Sequence, residues 1–373
     1  MSAMSLTFYD TSSAYYASYY LKGFDDLKKI RNLKVNISNA LPGRLKSAIK
    51  NPEWQNLLFA MSLFKFRQGN REWYFCIDTH DSDSVNSIDK TRGYHLPLLQ
   101  CVDAYFKVNY NPEVIERTPE LKVSRAKIRS IAQFFPVRPP MILSLSRRLV
   151  LPPILFGYKP GLDHDQPYAG YLADARKRLR DLRKFQSFEE IIAHRGARKD
   201  VDVFFVTSFY GKERHEAAME RRYQIMKRLA CAPALNTVMG FTGFKKIPDK
   251  YADLFHRRLG RSEYLETLAR ARVVIYTQGM EACISSRFSL AMALGVAVAG
   301  EPLVNNPGLL TANTHLSEQF AYVDPDELAD HAINLAADAG KARELGVLNA
   351  AMFDSQLAPR VTAEYILDTL CGC

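Results

Sequence analysis

Several absences narrow the class of this chain before any motif is read. Cys76, Cys101, Cys231, Cys283, Cys371 and Cys373 contain no C-x-x-C pair, so the common zinc-ribbon and thioredoxin-like spacings are excluded. The six thiols sit mostly in apolar contexts and read as reduced, hence cytosolic. No signal peptide opens the sequence. The most apolar stretch, Met141 to Tyr158, carries Arg147 and Arg148 in its middle and is broken at Pro152 and Pro153, which excludes a membrane-spanning helix. RRM, KH and zinc-finger signatures are missing, and nucleic acid is not expected as a partner. There is no internal repeat, no low-complexity tract and no glycine-rich dinucleotide fingerprint.

What is present is ordinary globular material in quantity. A length of 373 residues favours two domains, and 47% hydrophobic with 24% charged residues supplies sizeable cores. The net charge of +10 points to an anionic partner: nucleotide phosphates, an acidic glycan or an anionic membrane surface.

The most informative stretch runs from Leu265 to Gly300. An amphipathic helix end (Leu265, Leu268, Ala269) leads into the apolar run Val273 to Tyr276, which suits a buried parallel strand. A polar loop, Thr277 to Ser286, follows, and Ser285 and Ser286 can cap a helix from Arg287 to Leu294 that stops at Gly295. A further β-rich run, Val296 to Ala299, completes a right-handed βαβ crossover. In open α/β sheets ligands bind at the carboxyl ends of the strands, where a helix N-terminus suits a phosphate.

The residues Arg287, Phe288, Ser289, Leu290, Ala291, Met292, Ala293, Leu294, Gly295 and Val298 resemble the C-terminal half of GT-B glycosyltransferases. Within that group they are most similar to the exostosin-like and CgeB-like pattern R-x-x-x-A-x-x-x-G. The retaining GT-4-like pattern asks for two Glu eight positions apart, whereas this chain has Glu281 and Ser289. The resemblance implies an α/β fold of two Rossmann-like domains facing a cleft, with a C-terminal helix crossing back. It also implies donor binding without a metal and, given the incomplete Glu pair, an inverting mechanism.

Strands alternating with helices over the first 140 residues predict a Rossmann-like acceptor-binding domain. A first strand, Leu6 to Tyr9, ends at Asp10, and a tyrosine-dense helix, Ala14 to Leu21, follows. Its Tyr15, Tyr16, Tyr19 and Tyr20 serve either a packing face or a sugar-stacking platform. Leu57 to Phe66 is strand or helix, and the strand Trp73 to Ile77 ends in Asp78. Residues 141–199 form a crossover with a basic helix, Tyr171 to Phe188, that suits a solvated face or an anionic membrane. Residues 200–350 form the nucleotide-sugar domain. It holds strands at Asp202 to Thr207, Asn236 to Gly240, Val273, Val296 and Phe320 to Val323, and helices at Glu213 to Leu229 and Glu327 to Asn349. Residues 351–373 return to the first domain.

Sugar transfer needs stabilisation of the departing phosphate and a base for the acceptor hydroxyl. For the first, the candidates are Thr207, Ser208, Tyr210, Gly211 and Arg214 after one strand, and Gly279, Glu281, Ser285, Ser286 and Arg287 after another. The alternative for Arg287 is a salt bridge to Glu281 or Glu301. For the base the candidates are Asp78 and Asp81, then Asp10, each with a turn-capping role as the alternative. Asp81-Ser82-Asp83 is a D-x-D, but charged turns generate that triplet often, and no metal is expected. The expected partners are a nucleotide-sugar donor, a glycan or glycolipid acceptor and, peripherally, an anionic membrane. The expected function is a glycosyltransferase of bacterial surface polysaccharide or lipopolysaccharide synthesis. A non-catalytic nucleotide- or sugar-binding module and a GT-B-type nucleotide-sugar epimerase are the alternatives.

Overall fold

Apolar runs of four to eight residues, each ended by polar or glycine-containing turns, become two separate sheets in the computed structural model of the chain. The structure describes residues 3–9, 14–38, 40–48, 60–85, 93–141, 180, 183–211, 213–243 and 248–372. Two compact α/β units result, as the GT-B resemblance implies. The first comprises Met1–Phe188, Glu281–Ile284 and Gln356–Cys373, and the second comprises Glu189–Met280 and Ser285–Ser355.

The first unit holds β1 (Met4–Tyr9), β2 (Leu33–Ser38), β3 (Met61–Gln68), β4 (Arg71–Asp78), β5 (Ala104–Lys107) and β6 (Ile128–Ser130) in the order β2-β1-β3-β4-β5-β6. The segment Leu57 to Phe66, open between strand and helix in the sequence, supplies β3. It pairs antiparallel with both β1 and β4, so the sheet is mixed. Gly69, at φ 60°, turns β3 into β4, a left-handed position that favours glycine. Period-two alternation sorts the strands' side chains. Phe8, Phe64 and Phe75 line one face, with Phe64 and Phe75 stacked at 4.8 Å. Leu63, Cys76 and Tyr105 fall in a second core cluster with Leu98 and Ile115.

The tyrosine-dense helix runs Ala14–Ile30, longer than its periodicity indicated. Tyr19 and Tyr20 are fully buried. Their hydroxyls donate to the carbonyls of Leu357 (2.6 Å) and Ala132 (3.0 Å). These two are packing residues, while Tyr15 and Tyr16 pack edge-on against Phe134. The C-terminal helix, Pro359–Gly372, belongs to this unit. Its first carbonyl, on Pro359, passes so near Gly23 that a Cβ there would lie 1.9 Å from it. The basic stretch 171–188 falls mostly outside the described residues.

The second unit holds β7 (Val201–Ser208), β8 (Thr237–Thr242), β9 (Ala271–Tyr276) and β10 (Ala297–Gly300) in the order β10-β9-β7-β8, all parallel. The crossover expected around Leu265 to Gly300 is present. Ser285 is the N-cap residue of the helix Ser286–Leu294, which ends at Gly295 in the left-handed conformation. Two expectations change. Phe320 to Val323 is not a strand: Phe320 packs its ring over Gly300 and against Tyr276 and Phe288, and the segment touches the sheet through Tyr322 N–H to the Gly300 carbonyl. The single helix expected over Glu327 to Asn349 is two, Pro325–Ala337 and Ala339–Met352, because Asp338 leaves helical geometry and caps the second. Asp324 caps the first, accepting from the amides of Asp326 and Glu327. No described helix is long and apolar enough to cross a membrane.

Gly295 and Gly346 meet so closely that a Cβ on Gly346 would lie 2.4 Å from the Gly295 carbonyl oxygen. Gly346→Ala is therefore expected to cost about 2 kcal/mol or more through overpacking. Gly308→Ala, which meets nothing within 4 Å, should be neutral or slightly stabilising. Urea unfolding of both variants checks the pair, and equal midpoints would contradict the packing described.

Candidate functional site

In the first unit, polar chemistry concentrates where β4 and β5 end. The parallel register sets Asp78 beside Lys107, and both are fully buried. A buried ion pair is costly unless hydrogen bonds complete it, and here they do. Lys107 Nζ lies 3.2 Å from Asp78 Oδ2 and donates to the His80 carbonyl at 3.0 Å. Tyr105 Oη donates to Asp78 Oδ2 at 2.6 Å. Asp78 Oδ1 receives the His80 amide and sits 2.9 Å from His80 Nδ1. The ammonium of Lys107 also lies over the Tyr94 ring. Burial by itself would raise the Asp78 carboxyl. The charges of Lys107 and His80, with hydrogen bonds from His80 and Tyr105, reverse that and hold it at about 2. An acceptor-only carboxylate beside Nδ1 also fixes the proton on that nitrogen.

Asp81 follows three residues later under opposite conditions. The residue is exposed, yet protein atoms crowd its carboxyl. That desolvation raises its pKa, and the like charge of Glu281 adds to the effect. The thiol of Cys283 and the charges of Lys107 and His80 pull against it. Asp78 is thus held ionised well into acid and is inaccessible, whereas Asp81 is reachable and more basic than an ordinary aspartate. Asp10 lies outside the described residues.

Glu281 was expected among donor-binding groups of the second unit. It groups instead with the first, in the segment Glu281–Ile284. Asn109, fully buried, holds that segment: its Oδ1 accepts from Ile284 N at 2.9 Å, while its Nδ2 donates to the His80 carbonyl at 3.0 Å. Gln133 Nε2 donates to the Ile284 carbonyl at 2.6 Å. Glu281 and Ala282 both lie in the left-handed region, at φ 57° and 58°. For residues other than Gly, Asn or Asp this costs about 1–2 kcal/mol each. Such strain persists only where surrounding bonds over-determine it.

In the second unit the carboxyl ends of β7, β9 and β10 gather a second polar cluster. Arg222, on the helix Glu216–Ala230, is buried, with Nε on Thr277 Oγ1 (3.1 Å) and Nη2 on the Gln278 carbonyl (2.9 Å). Its guanidinium lies 5.8 Å from the Tyr210 ring centroid. Glu301 accepts from the Gln278 amide (2.6 Å) and from Arg221 (3.0 Å). Among the nominated residues, Thr207 is buried, Ser208, Gly211 and Ser286 are exposed, and Gly279 and Ser285 are half-buried. Tyr210 is partly exposed and its amide donates to Met219 Sδ. Arg214 lies in the single turn Glu213–His215, and its side chain is outside the described residues.

Arg287 makes neither of the salt bridges weighed for it. Its guanidinium donates to the carbonyls of Val206 (2.6 Å) and Ile275 (3.3 Å) and to Tyr264 Oη (3.3 Å). It thereby places positive charge beneath the ends of β7 and β9. Ser285 makes no side-chain cap; its carbonyl accepts from the Phe288 amide at 3.0 Å, so of the opening amides, which an α-helix leaves without i−4 partners, that one is already engaged. Among the described residues no cluster of His, Cys, Asp and Glu is arranged to hold a metal.

Sequence reasoning did not nominate Lys107, Asn109, Gln133, Cys283 or Arg222. For Lys107 a signal existed: a lysine embedded in the apolar run Ala104-Tyr105-Phe106-Lys107-Val108 is buried only when paired.

No protein-family model and no curated protein matches the chain. Among solved structures it is similar to the S. aureus MnaA–UDP co-structure, with 11% identity, 98% of this chain and 94% of that one covered, and a TM-score of 0.43. UDP-GlcNAc 2-epimerase from Neisseria meningitidis bound to UDP-GlcNAc gives 10%, 94% and 88% coverage, and 0.40. WaaG, a glycosyltransferase involved in lipopolysaccharide biosynthesis, gives 13%, 73% and 75%, and 0.36. At such identities and scores, the activities in those names stay with those proteins.

The Asp78–Lys107 pair carries a stability prediction. Lowering the Asp78 carboxyl from 3.8 to about 2 contributes about 2 kcal/mol above pH 4, lost as pH falls towards 2. Asp78→Asn leaves Lys107 buried without a counter-charge and should cost about 3–5 kcal/mol. The double variant Asp78→Asn with Lys107→Met should recover most of that loss in urea unfolding. A double variant no more stable than the single one would contradict the pairing.

Proposed function

We propose that this chain is an enzyme acting on a nucleotide-activated sugar, and that it is a glycosyltransferase with Asp81 as its base. The observation that carries the reading is the contrast between two neighbouring aspartates. Asp78 has every oxygen engaged and is held at about 2, while Asp81 is exposed and raised. A general base must reach its proton and hold it in the transition state, and Asp81 alone of the two does so. The donor's phosphates are assigned to the second unit, at the amides opening the helix Ser286–Leu294 and the exposed hydroxyls of Ser208 and Ser286, with Arg287 supplying fixed positive charge nearby. The acceptor oxygen attacks the anomeric carbon as its proton passes to Asp81. The bond from that carbon to the phosphate oxygen breaks, and the nucleotide leaves with the electron pair. One displacement inverts the configuration. The acceptor is a glycan or glycolipid, and the basic stretch 171–188 is assigned the attraction to an anionic membrane that a lipid-linked acceptor requires.

A second reading, a nucleotide-sugar epimerase, is favoured by a second exposed carboxylate, Glu281, in the same unit as Asp81, since two acid–base groups suit proton exchange at carbon. It needs no acceptor, and donor turnover with and without added acceptor separates the two.

Asp81→Asn is expected to lower sugar transfer by about a hundredfold to ten-thousandfold while leaving nucleotide binding within about twofold. Calorimetric titration and product release measured on one preparation check this. An Asp81→Asn enzyme that transfers sugar at the wild-type rate removes Asp81 from the mechanism.

A further inference from the structure

The helix Glu216–Ala230 carries two consecutive arginines with opposite fates. Arg222 is buried and donates to Thr277 Oγ1 and to the Gln278 carbonyl, in the loop after β9. Arg221 reaches the end of the next strand: its Nη1 donates at 3.0 Å to Oε1 of Glu301, the residue that follows β10. β9 and β10 are parallel neighbours, so both side chains lie along the carboxyl edge of the sheet, where open α/β folds take their ligands.

Exposure separates the partners of the Arg221 pair. The Arg221 side chain is 41% exposed and that of Glu301 only 4%. Backbone bonds fix the carboxylate: its Oε2 accepts from the Gln278 amide at 2.6 Å, and the Glu301 amide donates to the Tyr276 carbonyl. Gln278 is anchored in turn, through Nε2 to the Pro302 carbonyl and through its own carbonyl to Arg222. Glu301 therefore holds one nitrogen of Arg221 in a set place. A guanidinium carries five N–H donors in a rigid fork, and among the described residues Glu301 is the one acceptor that Arg221 meets. The remaining donors are uncommitted on a side chain open to water. A fork of this kind matches two oxygens of a phosphate. The other cations at this edge are covered or committed. Arg222 is sealed beneath the loop, and Arg287 is engaged by the carbonyls of Val206 and Ile275 and by Tyr264.

We propose that Arg221 is the phosphate-binding cation of the second unit, gripping the diphosphate of a nucleotide donor while Glu301 holds its guanidinium in place. This rests on the reading of that sheet edge as the donor site, and it names the side chain that contacts the anion.

The test is calorimetric titration of the full chain with inorganic pyrophosphate and with UDP, GDP, TDP and ADP. Arg221→Gln should weaken pyrophosphate and the preferred nucleoside diphosphate by about tenfold to a hundredfold. That variant leaves Glu301 buried without its counter-charge, so the double variant Arg221→Gln with Glu301→Gln covers the case in which it does not fold. The double variant keeps the net charge of the wild type and should show the same loss. Arg221→Lys, which keeps the charge but not the fork, should fall between. Arg228→Gln removes a cation from the same helix, where Arg228 pairs with Asp330, and should bind both ligands within about twofold of the wild type. A folded double variant that binds both ligands as the wild type does overturns the assignment to Arg221 and leaves the donor reading standing. An equal loss in Arg228→Gln overturns it too, because general charge then accounts for the binding. Pyrophosphate binding that depends on Arg221 in a protein that takes no nucleotide upholds the anion site and rejects the nucleotide-sugar reading instead. A wild-type protein that binds neither overturns both.

Discussion

Two full charges, Asp78 and Lys107, lie side by side at the ends of adjacent parallel strands with no exposure to water. The cost of placing them there dictates much of what surrounds them. Asp78 takes hydrogen bonds from His80 and Tyr105, Lys107 binds the carbonyl of His80, and the same carbonyl takes Asn109. A loop that would otherwise wander is therefore fixed at consecutive residues, and Asp81 emerges from it in a defined place. A buried ion pair is weak evidence for stability in itself, but it is a strong constraint on geometry once each partner must be satisfied. Here that constraint falls on the loop that carries Asp81, the proposed base.

The second unit solves a related problem with cations alone. Parallel strands end in carbonyls that need donors, and Arg287 and Arg222 supply them at the ends of β7 and β9 and along the loop after β9. Neither guanidinium is a free hand reaching for an anion. Their positive charge nevertheless stays at the strand ends, where helix amides also point, and Glu301 balances part of it through Arg221 and the Gln278 amide.

Much of the architecture could be read from residues. Short apolar runs with polar stops gave the strands of the second unit, because a parallel strand buried on both faces has no other composition. Ser285 and Gly295 marked the ends of the helix between β9 and β10 because caps are local chemistry. The β3–β4 hairpin was harder. Its first strand is apolar on both faces, and short apolar runs do not reveal whether their partner is parallel or antiparallel. Phe320 to Val323 misled because an apolar segment packed by its rings has the same composition as a strand. In the site, Asp81 and Ser285 were visible as residues after strand ends. Asn109 and Gln133 were not, since an asparagine in a polar loop gives no hint that it spans to Ile284, 175 positions further on. Glu281 was placed with its sequence neighbours, and the left-handed turn that sends it to the other unit is a backbone property no side chain announces.

The central claim is that this chain binds an activated sugar by its nucleotide. The most direct test is the melting temperature of the wild-type protein against UDP, GDP, TDP, ADP and CMP, without added metal. A ligand at about a hundred times its Kd stabilises the folded form by about 2.7 kcal/mol. The account predicts that one nucleotide raises the transition by about 5 °C while the others move it little. A transition unmoved by all five at millimolar concentration would contradict it.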